Sequence, residues 1–168
     1  MLDTVEGMSE LQRIRVVIAD DQELVRAGFA MVIGSQPDIQ VVGQAGDGAQ
    51  AVSLAESLHP DVVLMDVRMP GMDGFEVLRS VKKSNPQVQV IILTGHGGDA
   101  EEQTAYRMGA YNFLKKPMDI DELLNSIRMA YRDKVENAMV AVSLAEGGDF
   151  DAAQDVLNEK ALLAEHKL

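Results

Sequence analysis

The chain has 168 residues, 46% of them hydrophobic, no cysteine and a formal net charge of −12. That length allows one full core with a small appendage, the missing cysteine excludes disulfides and thiolate chemistry, and the acidic excess argues against DNA or an anionic membrane as a direct partner, since phosphates would be repelled. No apolar run approaches the roughly 18 residues of a membrane span, and the start Met1-Leu-Asp-Thr-Val-Glu6 lacks the basic residues of a signal peptide, so a cytoplasmic location is expected.

Residues 1–12 carry no fold signal and are expected to be disordered. From there, short β-branched runs alternate with amphipathic stretches. Arg15–Ala19, Ile39–Gly43, Val62–Met65, Val88–Leu93 and Tyr111–Leu114 read as strands. Helical spacing lies between them, in Leu24, Gly28, Met31 and Val32, then in Val52, Ala55 and Leu58, in Phe75, Leu78 and Val81, and in Thr104, Ala105 and Met108. Ser35-Gln-Pro37 and Asn85-Pro86 stop the first and third helices, and Asp73-Gly-Phe-Glu76 has the spacing of a capping box. Strands apolar on both faces and joined by single helices predict an α/β fold: a five-stranded parallel sheet in three layers, with right-handed crossovers.

Such a sheet gathers the carboxyl ends of its strands around one crevice. Asp20 and Asp21 follow the first strand, Asp66 the third, Thr94 the fourth and Lys116 the fifth. Three acids together would be costly without a cation, and their hard oxygens suit Mg²⁺. A carboxylate is also a competent nucleophile toward phosphorus, with a lysine and a hydroxyl available to hold the equatorial oxygens, so phosphoryl transfer to an aspartate is the chemistry this set suits. An acid pair seen alone would be a solvated loop or a helix cap; its company argues otherwise. Lys115 reads as a surface charge, His96 has no second histidine or cysteine to make a metal site, and Thr94-Gly-His-Gly-Gly98 reads as a flexible loop rather than a phosphate nest.

The acid pair, the stretch Met65-Asp66-Val-Arg-Met-Pro-Gly-Met-Asp-Gly74, Leu93-Thr94-Gly95 and Lys115-Lys116-Pro117 resemble the receiver domains of two-component response regulators. The resemblance covers residues 13–132 and implies a flavodoxin-like (βα)5 fold with strand order 2-1-3-4-5. It implies that Asp66 accepts phosphate from a histidine kinase or phosphotransfer protein. Asp20, Asp21, Asp66 and the Arg68 carbonyl would bind Mg²⁺, Lys116 would pair with the phosphate, and Thr94 and Phe113 would act as the switch. By the same resemblance the chain promotes its own phosphoryl transfer and is otherwise no enzyme. Phe113 also reads as plain core, because Tyr111 and Phe113 alternate along one strand. Arg68 and His96 stand where side chains of this family line the path of hydrolytic water. A Mg²⁺-dependent phosphatase with an aspartyl nucleophile is the alternative, although Arg68 stands where that chemistry wants a second acid. Flavin binding on the same topology lacks a phosphate loop after the first strand.

Residues 133–168 form an extension. No Gly or Pro interrupts Met118 to Glu146, whose apolar stripe runs through Leu124, Ile127, Tyr131, Val135, Ala138 and Val142. One helix from Asp119 to Glu146 would be roughly 42 Å long, about twice what covering the sheet requires. Gly147-Gly148-Asp149 then stops it and caps a second helix with Phe150, Ala153, Val156, Leu157 and Ala161 on one face, an αα-hairpin. The segment Gly148-Asp-Phe-Asp-Ala-Ala153 faintly resembles a single tetratricopeptide unit, too little for a solenoid. With eight acids against three bases from Asp133 on, the extension looks too short and acidic for a helix-turn-helix effector. The hairpin would either cap the receiver-like core of its own chain or meet an output protein or a second copy through these helices, with no direct nucleic acid and no membrane.

Overall fold

The computed structural model describes residues 13–71, 73–95 and 97–165. In chain order the elements are β1 (Ile14–Ala19), α1 (Glu23–Gly34), β2 (Ile39–Ala45), α2 (Gly48–Leu58), β3 (Val62–Met65), α3 (Gly74–Ser84), β4 (Gln89–Thr94), α4 (Asp99–Arg107), β5 (Asn112–Lys115), α5 (Ile120–Glu146) and α6 (Phe150–Glu165). The sheet runs β2-β1-β3-β4-β5 with every pair parallel. This is the expected flavodoxin-like arrangement. Each strand sits within a residue or two of its predicted bounds.

Period-two alternation divides the core into two layers. Val17, Val63, Met65, Val90, Ile92 and Phe113 pack with Ala51, Ala55, Leu78, Val81 and Ala105 of α2, α3 and α4. Val16, Ile18, Val62, Leu64, Ile91 and Leu114 pack with Ile33 of α1 and Leu123, Leu124 and Ile127 of α5. All four residues of β3 are buried, which is why this strand reads as a continuous apolar run. The register aligns Ala19 with Ala45 and Met65, and Thr94 with Lys115, so the residues following these strands emerge along one edge.

One helical face differs from its sequence reading. Leu24 is 88% and Met31 77% exposed, and Val32 and Gly28 also face outward. The core side of α1 is Ile33 with the half-buried Phe29 and Ala30. Apolar residues occupy both sides of this helix, so periodicity alone could not choose between them. The predicted capping box at Asp73 is also replaced by a simpler cap, with the Asp73 carboxylate accepting from Phe75 N–H at 2.9 Å. The reach-back half of a capping box appears instead at α4, where Glu101 accepts from Gly98 N–H at 2.8 Å. That bond holds the Glu101 carboxyl below its usual range.

α5 descends from the site edge to the opposite end of the sheet, where polar contacts tie it down. Arg128 holds both carboxylate oxygens of Asp38, at 2.8 and 3.0 Å, and keeps that carboxyl below the usual range. Lys134 donates to Asp61 at 2.6 Å, and Tyr111 donates to Asp133 at 2.6 Å. The helix then continues past the receiver-like core without a break. Its end is a Schellman motif: Gly148 has φ +88°, its N–H donates to Ala145 at 2.9 Å, and Asp149 N–H donates to Leu144 at 2.9 Å. Asp149 then caps Ala152 N–H at 3.0 Å, and α6 turns back along α5 to reach α4. The αα-hairpin is therefore present. The expectation for residues 1–12 lies outside the described residues.

Candidate functional site

The mouths of β1, β3, β4 and β5 bring Asp20, Asp66, Thr94 and Lys116 to one place. Asp20 is drawn in because its own N–H continues the ladder, donating to Ala45 at 3.0 Å; Asp66 does the same toward Ala19 at 3.2 Å, and Lys116 toward Thr94 at 2.8 Å. These backbone bonds fix where each side chain starts. The Lys116 ammonium lies 2.8 Å from Asp20 Oδ2 and 3.5 Å from Asp66 Oδ2, bridging acids from two strands. Asp20 is buried, and its other oxygen accepts from Gln22 N–H at 2.9 Å. Burial of a carboxylate at this depth is sustained by the pairing.

The loop after β3 is shaped by Gly74. A Cβ there would lie 2.3 Å from the Val67 carbonyl oxygen, and Gly74 N–H donates to that same oxygen at 3.1 Å. Arg68 and Asp73 pair as an antiparallel bridge inside the loop. Arg68 N–H consequently donates to Asp66 Oδ1 at 2.9 Å, holding one carboxylate oxygen while the other faces Lys116. Asp66 remains partly accessible, with 12% of its side chain exposed.

Thr94 is fully buried at the end of β4, and Phe113 is buried in the layer beneath α4. A Cβ on Gly97 would meet the Phe113 ring tip at 3.2 Å and the Thr94 methyl at 3.6 Å, so these two side chains adjoin under the same glycine. Gly97 has φ +127°, a backbone region that favours glycine. Beside Phe113, Asn112 accepts from the Tyr106 hydroxyl at 3.1 Å and donates to Ser126 at 3.0 Å, linking α4, β5 and α5.

Carboxylate oxygens of Asp20 and Asp66 converge on the Lys116 ammonium, and hard oxygens of this kind are the donors a divalent ion such as Mg²⁺ takes. Asp21 is exposed on the rim, and no three acids are gathered closely enough among the described residues to hold a metal between them. His96 lies outside the described residues. Lys115 is exposed.

Two participants escaped the sequence reading. Arg26 of α1 donates to the Asp20 carbonyl at 2.6 Å, and the Phe29 ring lies 5.7 Å from the Lys116 ammonium, a cation–π distance. Both sit one turn apart just after the acid pair. Their spacing is a usable signal only once α1 is known to turn that face inward.

Residues 16–128 match the family model described as the response regulator receiver domain. The chain is 37% identical over 148 residues to YxjL of Bacillus subtilis, a transcriptional regulatory protein, covering 88% of this chain and 68% of that one. It is 40% identical over 117 residues to the transcriptional regulatory protein LiaR of Bacillus subtilis, covering 70% of this chain and 56% of the relative, little more than half its length. Among solved structures, a DNA-binding response regulator of the LuxR family from Staphylococcus aureus aligns with a TM-score of 0.66 at 29% identity, over 70% of this chain and 98% of that one. These relatives overturn the expectation that nucleic acid is not a direct partner. That expectation weighed the total charge of the chain, whereas phosphate contacts depend on where basic groups sit, so a net of −12 excludes no particular DNA-contacting surface.

Proposed function

Because the chain belongs to the response-regulator receiver family of two-component signalling, we propose that it is a phosphorylation switch whose Asp66 accepts a phosphoryl group from a histidine kinase or phosphotransfer protein. The observation that carries this reading is the Lys116 ammonium lying between Asp20 and Asp66, at 2.8 and 3.5 Å. Residues 13–132 form the phosphoacceptor unit, and residues 133–168 are appended to it.

Asp66 Oδ2, the oxygen facing Lys116, attacks phosphorus while Arg68 N–H holds Oδ1 and fixes the carboxylate plane. A P–O bond forms as the donor's P–N bond breaks, and the leaving imidazole keeps the electron pair, giving an acyl phosphate. Lys116 then exchanges carboxylate for phosphoryl oxygen, its charge aimed at the atoms where negative charge accumulates. Thr94 supplies a hydroxyl to another phosphoryl oxygen. Receiver domains of this family are generally Mg²⁺-dependent. Asp20, Asp21 and Asp66, with the Arg68 carbonyl, would hold the ion, which neutralises charge on the transferring group when bound.

Thr94 and Phe113 adjoin under Gly97, so a threonine drawn toward the phosphate opens space that the aromatic ring fills. The Tyr106–Asn112–Ser126 bonds pass that change to α4 and α5. The output is transcriptional, by analogy with the regulators it resembles, and the chain acts in the cytoplasm. No helix among the described residues is long and apolar enough to cross a membrane. The phosphatase alternative is disfavoured by Arg68 at its second acid position and by the regulatory names of the relatives.

Incubation with Mg²⁺ and acetyl phosphate, followed by intact mass and peptide mapping, tests the reading. One phosphoryl group should appear on Asp66 and be absent from Asp66→Asn. An adduct that persists in that variant, or turnover of many phosphomonoesters, would overturn it.

A further inference from the structure

The apolar stripe of α5 loses its cover beyond Tyr131. Met139 is 67%, Val142 55% and Phe150 70% exposed on the α5–α6 hairpin. Val135, Met139 and Val142 follow one another at helical intervals of four and three, and Phe150 stands across the turn at the start of α6. Between the two helices a cavity of about 470 Å³ opens to solvent. It is floored by Ala138, Ala141, Ala145 and Ala153 and flanked by Val142 and Phe150. That volume lies within the roughly 300–1,000 Å³ of specific pockets. Small residues on the floor leave room for side chains arriving from outside.

The hairpin that carries this groove is acidic. Glu136, Glu146, Asp149, Asp151 and Asp155 are all exposed on it, although the groove lining itself contains no acid. Between residues 133 and 157 the sole base is Lys134, and its ammonium is held by Asp61 at 2.6 Å. An apolar groove on an acidic hairpin is complementary to an amphipathic helix with a basic polar face. A second copy of this acidic hairpin would bring like charges together.

We propose that the α5–α6 hairpin groove is a docking surface for a basic amphipathic helix of a partner protein, with Phe150 and Val142 as its apolar anchors. The surface is separate from the phosphoacceptor edge, and this inference does not depend on phosphorylation of Asp66. The acids exposed on the hairpin would speed the encounter, and burial of the anchors would supply most of the affinity.

The test uses the full chain and a synthetic helix of about 18 residues, five turns, with leucine on one face and lysine on the other. Fluorescence anisotropy should report saturable binding that weakens several-fold between about 0.05 and 0.5 M salt. Phe150→Ser should weaken it about tenfold, the scale of one anchor residue, and Val142→Ser should do likewise. Circular dichroism should be unchanged, since these side chains are mostly exposed. Equal binding of a scrambled peptide with the same lysines would overturn the proposal, as would unaltered binding by both variants. Sedimentation showing a dimer that Phe150→Ser dissociates would assign the groove to a second copy and overturn it too.

Discussion

Replacing Lys116 by methionine keeps most of the apolar stem of the side chain and removes the cation that Asp20 and Asp66 share. Asp20 is left with the Gln22 N–H at 2.9 Å as its side chain's remaining partner, at 5% side-chain exposure. Breaking a buried ion pair on one side costs about 3–5 kcal/mol. Two features reduce that figure: Lys116 is itself 19% exposed, and the Arg26 guanidinium sits at the Asp20 backbone. A loss of about 2–3 kcal/mol is expected, or roughly 4–12 °C in melting temperature for a chain of this size. In an Asp20→Asn background the same substitution should cost under about 1 kcal/mol, because the stranded charge is gone. The two differ by about 2 kcal/mol, the coupling energy read from a double-mutant cycle in urea with a chelator present. If Lys116→Met costs the same in both backgrounds, Asp20 does not depend on the lysine and the electrostatic account of the site fails.

Adding Mg²⁺ should restore part of the stability lost in Lys116→Met, since a cation bound only by the folded form stabilises by mass action; thermal melts with Mg²⁺ and with Ca²⁺-free chelator buffer measure it. Gly74→Ala places a methyl group on the Val67 carbonyl, so a loss of at least about 2 kcal/mol is expected together with slower labelling of Asp66 by acetyl phosphate. Phe113→Ala empties space in the layer beneath α4 and should cost about 3 kcal/mol by urea denaturation. Burial pushes the Lys82 ammonium down to about 8, so between that pH and about 10.5 the unfolded chain binds more protons than the folded one and stability rises with pH. The rise should be up to about 1 kcal/mol per pH unit, softened by the carbonyls of Pro86 and Val88 that accept from the ammonium, and should vanish in Lys82→Met.

Periodicity carried the sheet. Val62–Met65 could be bounded to the residue because a strand buried on both faces has no polar position to blur it, and the acids that terminate β1 and β3 stand out against that apolar background. Parallel register does the rest, since strands that start together deliver their carboxyl ends together. Helices were less transparent. Leu24 and Met31 mark an apolar face of α1 as convincing as Phe29 and Ile33, and only packing against Ile18 and Leu64 distinguishes them.

Chain order and residue type by themselves determined the α/β class, the five strands and the membership of Asp20, Asp66, Thr94 and Lys116 in one site, because these follow from local period and strand-end placement. Tertiary structure decided which acids share Lys116, that Asp21 stands on the rim, that Arg26 and Phe29 join the site, and that the distal apolar stripe of α5 is left uncovered. Those outcomes depend on distances between elements far apart in the chain, set by packing and register that no single segment encodes.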